Sequence, residues 1–177
     1  MKTILKKILY WKLSFFYKEL NINDNHYPIK TLFIYAFKQK ILGYNRKTPW
    51  PVHYSSKIIC PQKIQRGTKY PGFGHNIYLD GRNGIIIGSN VWIGPRVSII
   101  SQNHDLNNYN NYTPSEPIKI GKNSWLGSSC IILPEVELGN HTVVGAGAIV
   151  TKSFTDGNVL IAGNPARIIK TLDEYSE

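Results

Sequence analysis

Aliphatic residues recur at every sixth position through most of the chain after residue 86. Ile87, Ile93 and Ile99 begin the series, and after an interruption Ile120, Leu126, Ile132, Leu138, Val144 and Val150 continue it with the same spacing of six. A glycine directly follows six of these nine positions. A period of six matches neither the helical repeat of 3.6 nor the two-residue alternation of a strand. It predicts an all-β solenoid of short strands and turns, in which each aliphatic side chain points into a narrow interior.

The repeat also predicts where the core and the domain boundaries lie. At about 1.5 to 3 kcal/mol per buried aliphatic side chain, the series supplies the core of the fold. Val52, Ile58 and Ile64 extend it towards the N-terminus, so we expect the solenoid to occupy residues 51–165. Residues 166–177 are expected to form a short C-terminal helix or tail.

The interruption falls in the stretch IISQNHDLNNYNNYTPSEPIKIG, residues 99–121. Inside it the aliphatic recurrence stops, and the chain becomes rich in Asn, Tyr, Ser and Pro around a single histidine, His104. Such a composition is typical of turns and exposed loops. We therefore predict a loop, at about residues 101–117, that leaves the solenoid and returns to it.

Residues 1–50 have a different character, which predicts a basic amphipathic helical segment. A 3.6-residue period gathers its apolar side chains largely on one side of a helix: Ile4, Leu5, Ile8, Leu9, Leu13, Phe15 and Phe16. Lysines interrupt this run too often for a spanning helix, and no small-residue cleavage site follows it. Two interpretations stay open: the helix docks on the rest of the protein, or residues 1–20 lie on an anionic membrane surface.

The charge is concentrated in this same segment. The chain of 177 residues has a formal net charge of +10 and is 42% hydrophobic and 18% charged, as expected for a folded globular domain. Residues 1–60 hold eleven Lys and Arg against two Asp and Glu, whereas the rest holds ten against nine. The two cysteines are far apart in sequence, which favours a reducing cytoplasm over a disulfide scaffold or zinc site. A nucleic-acid partner fits poorly, because aliphatic and aromatic residues dominate the other face of the basic segment.

Three stretches resemble one family, the hexapeptide-repeat acyltransferases, and in particular the bacterial sugar and polysaccharide O-acetyltransferases. They are IIGSNVWIGPRVSI, IKIGKNSWLGSSCIILPEVELGNHTVVGAGAIVTK and IAGNPARIIK, and the resemblance spans roughly residues 75–170. It implies a left-handed parallel β-helix, an exception to the usual right-handed crossover. It also implies a homotrimer in which an extruded loop carries a histidine into a cleft between subunits.

The resemblance assigns the chemistry of acetyl transfer to few residues. It implies that His104 is the general base, with Asp105 either orienting it or merely flanking it. The backbone amide of Ser128, in WLGS, would stabilise the oxyanion. A neutral imidazole can take the proton of a hydroxyl nucleophile and return it to the leaving thiolate.

The same resemblance supplies the binding residues. Acetyl-CoA would be the donor, with no metal, and would lie against Trp125, Ala146, Thr151, Lys152, Arg167 and Lys170. Guanidinium and ammonium groups suit its phosphates. The candidates for the acceptor side are Asp80, Asn83, Tyr109, Tyr112 and His75, although a structural role is favoured for His75.

These features predict a cytoplasmic, acetyl-CoA-dependent O-acetyltransferase acting on a sugar of a surface polysaccharide or its lipid-linked precursor, near the inner face of the cell membrane. An N-acetyltransferase of an amino sugar or an antibiotic would use the same base and donor site. A non-catalytic hexapeptide scaffold would neither bind acetyl-CoA nor need His104. A γ-type carbonic anhydrase fits poorly, because His104 and His141 are too isolated to form its zinc site.

Overall fold

The structure is a computed structural model that describes residues 2–18 and 27–176, with side chains from residue 7 onward. The predicted positions of the Ile4 and Leu5 side chains lie outside this description. Two α-helices come first: α1 at Lys2–Ser14 and α2 at Ile29–Ala36, which continues into a π-helical turn at Phe37–Ile41. Sixteen short strands and a 3₁₀ turn at Pro61–Lys63 make up the rest of the described chain.

Most of the strands stack in parallel as a left-handed β-helix with three faces, which confirms the predicted fold class. Face A contains β1 (Lys57–Ile59), β3 (Tyr78–Asp80), β6 (Ser98–Ile100), β11 (Ile131–Ile132) and β14 (Ile149–Val150). Face B contains β2 (Ile64–Arg66), β4 (Ile85–Ile87), β9 (Ile118–Ile120) and β12 (Glu137–Leu138). Face C contains β5 (Trp92–Ile93), β10 (Trp125–Leu126), β13 (Thr142–Val144), β15 (Val159–Gly163) and β16 (Ala166–Thr171). The chain passes through A, B and C in turn, so each coil has three corners: A/B, B/C and C/A.

The aliphatic residues that recur every six positions form the inward-facing row of these strands. Ile99, Leu126, Ile132 and Val150 are all fully buried, and Ile132 pairs in register with Ile99 on one side and Val150 on the other. The glycines that follow the inward residues are required by close approach between coils. A Cβ built on Gly88 would lie 2.6 Å from the backbone nitrogen of Lys122 in the next coil. Larger side chains at these corners would push the coils apart.

The C-terminal end differs from the prediction. Residues 166–171 form strand β16 rather than a helix, and β16 pairs antiparallel with β15. The β-branched residues Ile168, Ile169 and Thr171 favour an extended strand at this edge. The turn at residues 164–165 brings β16 back onto face C, so the solenoid ends in a hairpin.

The N-terminal helices dock on the solenoid. Leu13 and Tyr17 are buried against Leu32 and Ala36 of α2, and Tyr27 and Phe73 contact both this cluster and the solenoid core. The docking interpretation is therefore confirmed for this side of α1. None of the described helices is both long and apolar enough to cross a membrane.

A buried glutamine joins the helices to the first coil. Gln39 accepts hydrogen bonds at Oε1 from the Tyr17 hydroxyl (2.8 Å) and the Val52 amide (3.1 Å). Its Nε2 donates to the carbonyls of Thr48 (2.9 Å) and Trp50 (3.0 Å). Because every polar atom of the side chain is satisfied, Gln39 fixes the path of residues 48–52 at little desolvation cost.

Candidate active site

The interruption of the repeat is an extruded hairpin at the A/B corner. Strands β7 (Asn103–His104) and β8 (Tyr112–Thr113) pair antiparallel, and His104 lies opposite Tyr112. The hairpin leaves after β6 on face A and returns at β9 on face B. His104 therefore projects outward from the solenoid at the position that the broken period predicts.

The His104 imidazole has a defined tautomer. Its Nδ1 lies 2.6 Å from the carbonyl oxygen of Tyr109. Since a carbonyl can only accept, Nδ1 carries the proton and donates it, which leaves Nε2 of the neutral ring with a free lone pair. The Tyr112 ring packs against the imidazole with 4.7 Å between ring centroids. The exposed histidine is thus held as a base at Nε2.

Asp105 does not make the contact that orients His104. Its Oδ1 accepts the backbone N–H of Asn107 at 2.8 Å and so caps the turn inside the hairpin. The orienting partner is the main-chain carbonyl of Tyr109, whose side chain is exposed. Asp105 therefore shapes the hairpin, and a main-chain group holds the ring.

Asp80, predicted as an acceptor contact, lies behind the hairpin. It is fully buried, and Arg82 donates to it from Nε at 2.9 and 3.1 Å and from a terminal nitrogen at 2.6 Å. The hydrogen bonds that the Arg82 guanidinium donates to Asp80 raise its pKa above the ordinary value. This guanidinium also lies 5.6 Å from the centre of the Tyr112 ring. Asp80, Arg82, Tyr112 and His104 thus form one chain of contacts.

Asn83 anchors the stem of the hairpin. Its Nδ2 donates to the Thr113 carbonyl at 3.1 Å and to the Ser115 hydroxyl at 2.9 Å. Its backbone N–H donates to the hydroxyl of Ser101, at the other end of the stem, at 2.9 Å. These bonds tie both ends of the hairpin to the preceding coil, so the amide of Asn83 serves the scaffold.

The predicted oxyanion donor lies at the C/A corner. Ser128 follows β10, and Ala146 occupies the same turn one coil further along. Within residues 2–18 and 27–176, the backbone N–H groups of Ser128 and Ala146 have no protein acceptor. A Cβ on Gly94 would lie 2.8 Å from the Ser128 nitrogen, and one on Gly127 would lie 2.7 Å from the Ala146 nitrogen. The corner therefore presents two amides with open hydrogen-bonding capacity, held by tight coil packing.

Trp125 stands on the outer side of face C beside Trp92, its register partner. Both indoles are more than half exposed, at 56% and 61%. Together with His141, Val143 and Tyr175 they line a cavity of about 310 Å³. The Tyr175 hydroxyl accepts a hydrogen bond from Asn90 at 2.9 Å, so the C-terminal tail reaches across this face. The second tryptophan and the tail went unpredicted, although VWIG and SWLG repeat the same pattern.

The other residues predicted to contact acetyl-CoA are distributed over the surface. Thr151 and Lys152 are exposed at the A/B corner, and the Lys152 ammonium lies 5.6 Å from the Phe154 ring centre. Arg167 and Lys170 are exposed on β16, and Arg167 donates to the Ala166 carbonyl at 2.9 Å. Neither Arg167 nor Lys170 forms an ion pair with a carboxylate of the described residues.

His75 is an exposed residue at the C/A corner, in contact with a histidine that the sequence did not single out. Its ring lies 4.0 Å from that of buried His53. The Nδ1 of His53 accepts the backbone N–H of Ser55 at 3.1 Å. Burial lowers the pKa of His53, and the nearby His75 and Lys38 lower it further. This cluster links the solenoid to the helical segment.

A larger cavity, of about 520 Å³, lies beside the same tryptophan. Residues 67–74 form most of its wall, with Tyr27, Ile77 and Trp92 completing it. Trp92 lines both cavities, so they are neighbours along the outer side of face C. Among the described residues, no three His, Cys, Asp or Glu side chains are grouped as metal ligands would be.

The predicted site residues fall into two groups on one chain. His104, Tyr112, Thr151 and Lys152 belong to the A/B corner, whereas Ser128, Ala146 and His75 belong to the C/A corner. A triangular coil separates these corners by the whole width of a face. His104 and the Ser128 amide, predicted as base and oxyanion donor, therefore lie at different edges of one protomer.

The repeat and its hairpin define a class, the hexapeptide-repeat proteins, and the comparisons agree. Residues 117–152 match the family model described as "Bacterial transferase hexapeptide (six repeats)". A putative colanic acid biosynthesis acetyltransferase of Escherichia coli strain K12 is 31% identical over 76% of this chain and 73% of its own length. The chain belongs to the hexapeptide-repeat acetyltransferase family.

Two further proteins are similar to this chain. The galactoside O-acetyltransferase of E. coli strain K12 is 36% identical over 59% of this chain, and the match spans 59% of that protein. A hexapeptide-repeat-containing acetyltransferase of Vibrio cholerae O1 biovar eltor, crystallised with acetyl coenzyme A, matches 95% of this chain and 89% of its own. Its TM-score is 0.57 at 23% identity, which establishes the shared fold.

Proposed function

We propose that this protein is an acetyl-CoA-dependent O-acetyltransferase acting on a sugar hydroxyl, with His104 as the general base. The observation that carries the proposal is the 2.6 Å hydrogen bond from Nδ1 to the Tyr109 carbonyl, because it leaves Nε2 free to accept a proton. The acetyltransferase names of the relatives support the reaction class.

The reaction needs only a base and an oxyanion donor. Nε2 of His104 takes the proton of the attacking hydroxyl as its oxygen forms a bond to the thioester carbon. The resulting oxyanion accepts a hydrogen bond from the Ser128 amide, a kind of contact worth about 3 to 4 kcal/mol. The intermediate then breaks its C–S bond, and the imidazolium returns the proton to the thiolate. The products are the acetyl ester and free CoA thiol.

The separation of the two corners supports a site shared between subunits. The A/B corner of one protomer would bring its His104 hairpin against the C/A corner of the next, where the Ser128 and Ala146 amides lie. A repeated heterologous contact of this kind closes into a ring. We propose a homotrimer, with three such shared sites.

The two cavities along face C suit the two substrates. The donor would lie against Trp125, the Ala146 amide, and Thr151 and Lys152 of the neighbour, with Arg167 and Lys170 meeting the CoA phosphates. The acceptor would enter the larger cavity, where Trp92 and Tyr27 offer aromatic faces and His75 and Tyr109 border the approach. A bacterial surface polysaccharide or its precursor is the proposed acceptor, in keeping with the name of the colanic acid relative.

Thiol release from acetyl-CoA tests the activity, measured against a panel of matched hydroxyl and amino sugars. We expect turnover with hydroxyl sugars and a loss of about 10²- to 10⁴-fold in His104→Gln. Asn110→Gln, in the same hairpin, is the matched control and should keep wild-type activity. Turnover confined to amino sugars would identify an N-acetyltransferase instead. Equal rates for His104→Gln and wild type would remove the base assignment.

Mixed oligomers test the shared site separately. Gly94→Ala would displace the Ser128 amide at one corner, while His104→Gln disables the other. Refolding the two inactive variants together should restore part of the activity, because some interfaces would combine an intact hairpin with an intact corner. Failure of the mixture to regain activity would place each site within one subunit.

A further inference from the structure

The N-terminal helices carry an apolar surface that the docking of α1 leaves uncovered. Trp11 and Phe15 are 73% and 85% exposed. With Phe16 and Phe33 they line an open depression of about 470 Å³. Ile34, Phe37 and Ile41 are exposed on the outer side of α2 and its π-helical extension. We call Trp11, Phe15, Phe16, Phe33, Ile34, Phe37 and Ile41 the helical apolar face.

Lysines lie around this face, and the described residues of the two helices include no acidic side chain. Lys7, Lys12, Lys18 and Lys30 are exposed on or beside the two helices. The sequence of α1 contains no Asp or Glu, and residues 25–79 contain none either, whereas they contain nine Lys and Arg. Glu19 and Asp24, the two acidic residues of positions 1–79, lie outside the described residues, and fourteen Lys and Arg outnumber them. This part of the chain therefore carries a large excess of positive charge.

We propose that the helical apolar face docks on the surface of an anionic lipid bilayer. Trp and Phe side chains flanked by lysines are the pattern of helices that lie in the membrane interface, with the apolar side chains entering the acyl boundary. Lysines extend along apolar surface and place their ammonium groups at the lipid phosphates. Neither described helix can span a bilayer, so the contact is peripheral.

The charge pattern favours lipid over a second copy of this chain. Pairing the face with its own copy would bring the lysines of two copies together, and the two acidic residues of positions 1–79 are too few to compensate fourteen Lys and Arg. An anionic bilayer supplies negative charge along the whole rim. It also accepts several projecting aromatic side chains without a complementary pocket for each.

Membrane docking goes beyond the proposed transfer reaction and is independent of it. The face lies on α1 and α2, whereas His104 and Ser128 belong to the solenoid corners. The surface would hold the enzyme beside acceptors carried on a lipid. A protein that binds vesicles but transfers no acetyl group would leave this inference standing.

Vesicle sedimentation of the full chain tests the proposal. The vesicles are phosphatidylcholine alone, or phosphatidylcholine with one-third phosphatidylglycerol. We expect binding to the anionic vesicles, weakened at high salt as screening shortens the Debye length. The double variant Trp11→Ala/Phe15→Ala should lose at least about tenfold in partitioning. Leu106→Ala is the matched control, since Leu106 is equally exposed at 85% but lies in the hairpin.

Two further measurements separate the possible results. Brominated lipids should quench the fluorescence of Trp11, and Trp11→Phe should abolish that part of the quenching. Light scattering should give Trp11→Ala/Phe15→Ala the same mass as wild type. Unchanged vesicle binding of the double variant, or equal binding to neutral vesicles, would overturn the proposal. A fall in oligomeric mass would also overturn it, because the face would then be a protein interface.

Discussion

Replacing Arg82 by methionine should destabilise the protein and slow its reaction through two separable effects. Asp80 is fully buried, and Arg82 is the residue whose side chain neutralises it, through contacts of 2.6 to 3.1 Å. Methionine keeps much of the length of the side chain but removes the charge and every hydrogen bond. The variant therefore leaves a carboxylate in the interior with only backbone donors.

The size of the stability effect follows from the burial of the pair. Breaking a fully buried ion pair costs about 3 to 5 kcal/mol. The Arg82 side chain is 34% exposed, so water can reach its end and part of the interaction is screened. We expect a loss of about 2 kcal/mol in the free energy of unfolding, or a fall in Tm of about 4 to 8 °C for a chain of this size.

A second variant separates stability from positioning. Asp80→Asn/Arg82→Met has no buried charge, so its Tm should be close to that of wild type and higher than that of Arg82→Met. The kcat should stay low, by about 10- to 100-fold, because Tyr112 has lost the guanidinium that packs near it and His104 has lost a fixed neighbour. The KM for acetyl-CoA should change little.

Calorimetry and thiol-release kinetics on the two variants decide the matter. If the Tm of Arg82→Met equals that of wild type, Asp80 does not depend on its partner and the reasoning fails. If the double variant recovers kcat together with Tm, the contacts through Tyr112 serve stability alone.

Three further predictions concern other parts of the molecule. Gly94→Ala should lower both Tm and kcat, because the new methyl carbon would lie 2.8 Å from the Ser128 nitrogen; an unchanged Tm would show that the coil can yield there. Tyr109→Ala should keep most of kcat, since only its carbonyl holds His104, whereas loss of a side chain proposed to border the acceptor should raise the KM for the sugar; a fall in kcat as large as that of His104→Gln would contradict this. The pKa of His53 is lowered by burial, so the unfolded state binds a proton first as pH falls below about 6.5, and stability should decline there by at most about 1.4 kcal/mol per pH unit. His53→Gln should flatten that decline, as measured by Tm against pH, and an unaltered pH profile would remove the explanation.

The solenoid could be predicted from the sequence because its constraint is local and repeated. Each coil presents the same inward position, so Ile87, Ile120 and Leu138 report the same environment three times on face B. The extruded hairpin was predictable for the same reason, since departure from the period marks departure from the coil. Strand β16 was not, because it is stabilised by pairing with β15 in a hairpin, and its sequence ARIIKT mixes β-branched residues with the helix formers Ala, Arg and Lys.

The candidate site was predictable only in part. The residue types and the position of His104 follow from the interruption, but the atom that orients its ring is a main-chain carbonyl, which carries no sequence signal. Arg82 was missed because nothing in YLDGRN shows that Asp80 points inward. A charged residue at the end of a strand is usually exposed, and only the burial of this one makes its neighbour necessary.

The stiffness of the coils explains why the candidate residues lie at two different corners of the chain. A β-helix coil is stiff, since each corner is held to the next coil by contacts as close as that of Gly127 with Ala146. Such a coil can fix an amide well but cannot bend to bring a base from one corner to another. An outward hairpin can carry the base, yet it leaves at the A/B corner, away from the open amides at the C/A corner. Under the proposed reaction, such a chain would gain a complete site only where the hairpin of one copy meets the corner of another, so the rigidity that positions the proposed oxyanion donor would also make assembly necessary for catalysis.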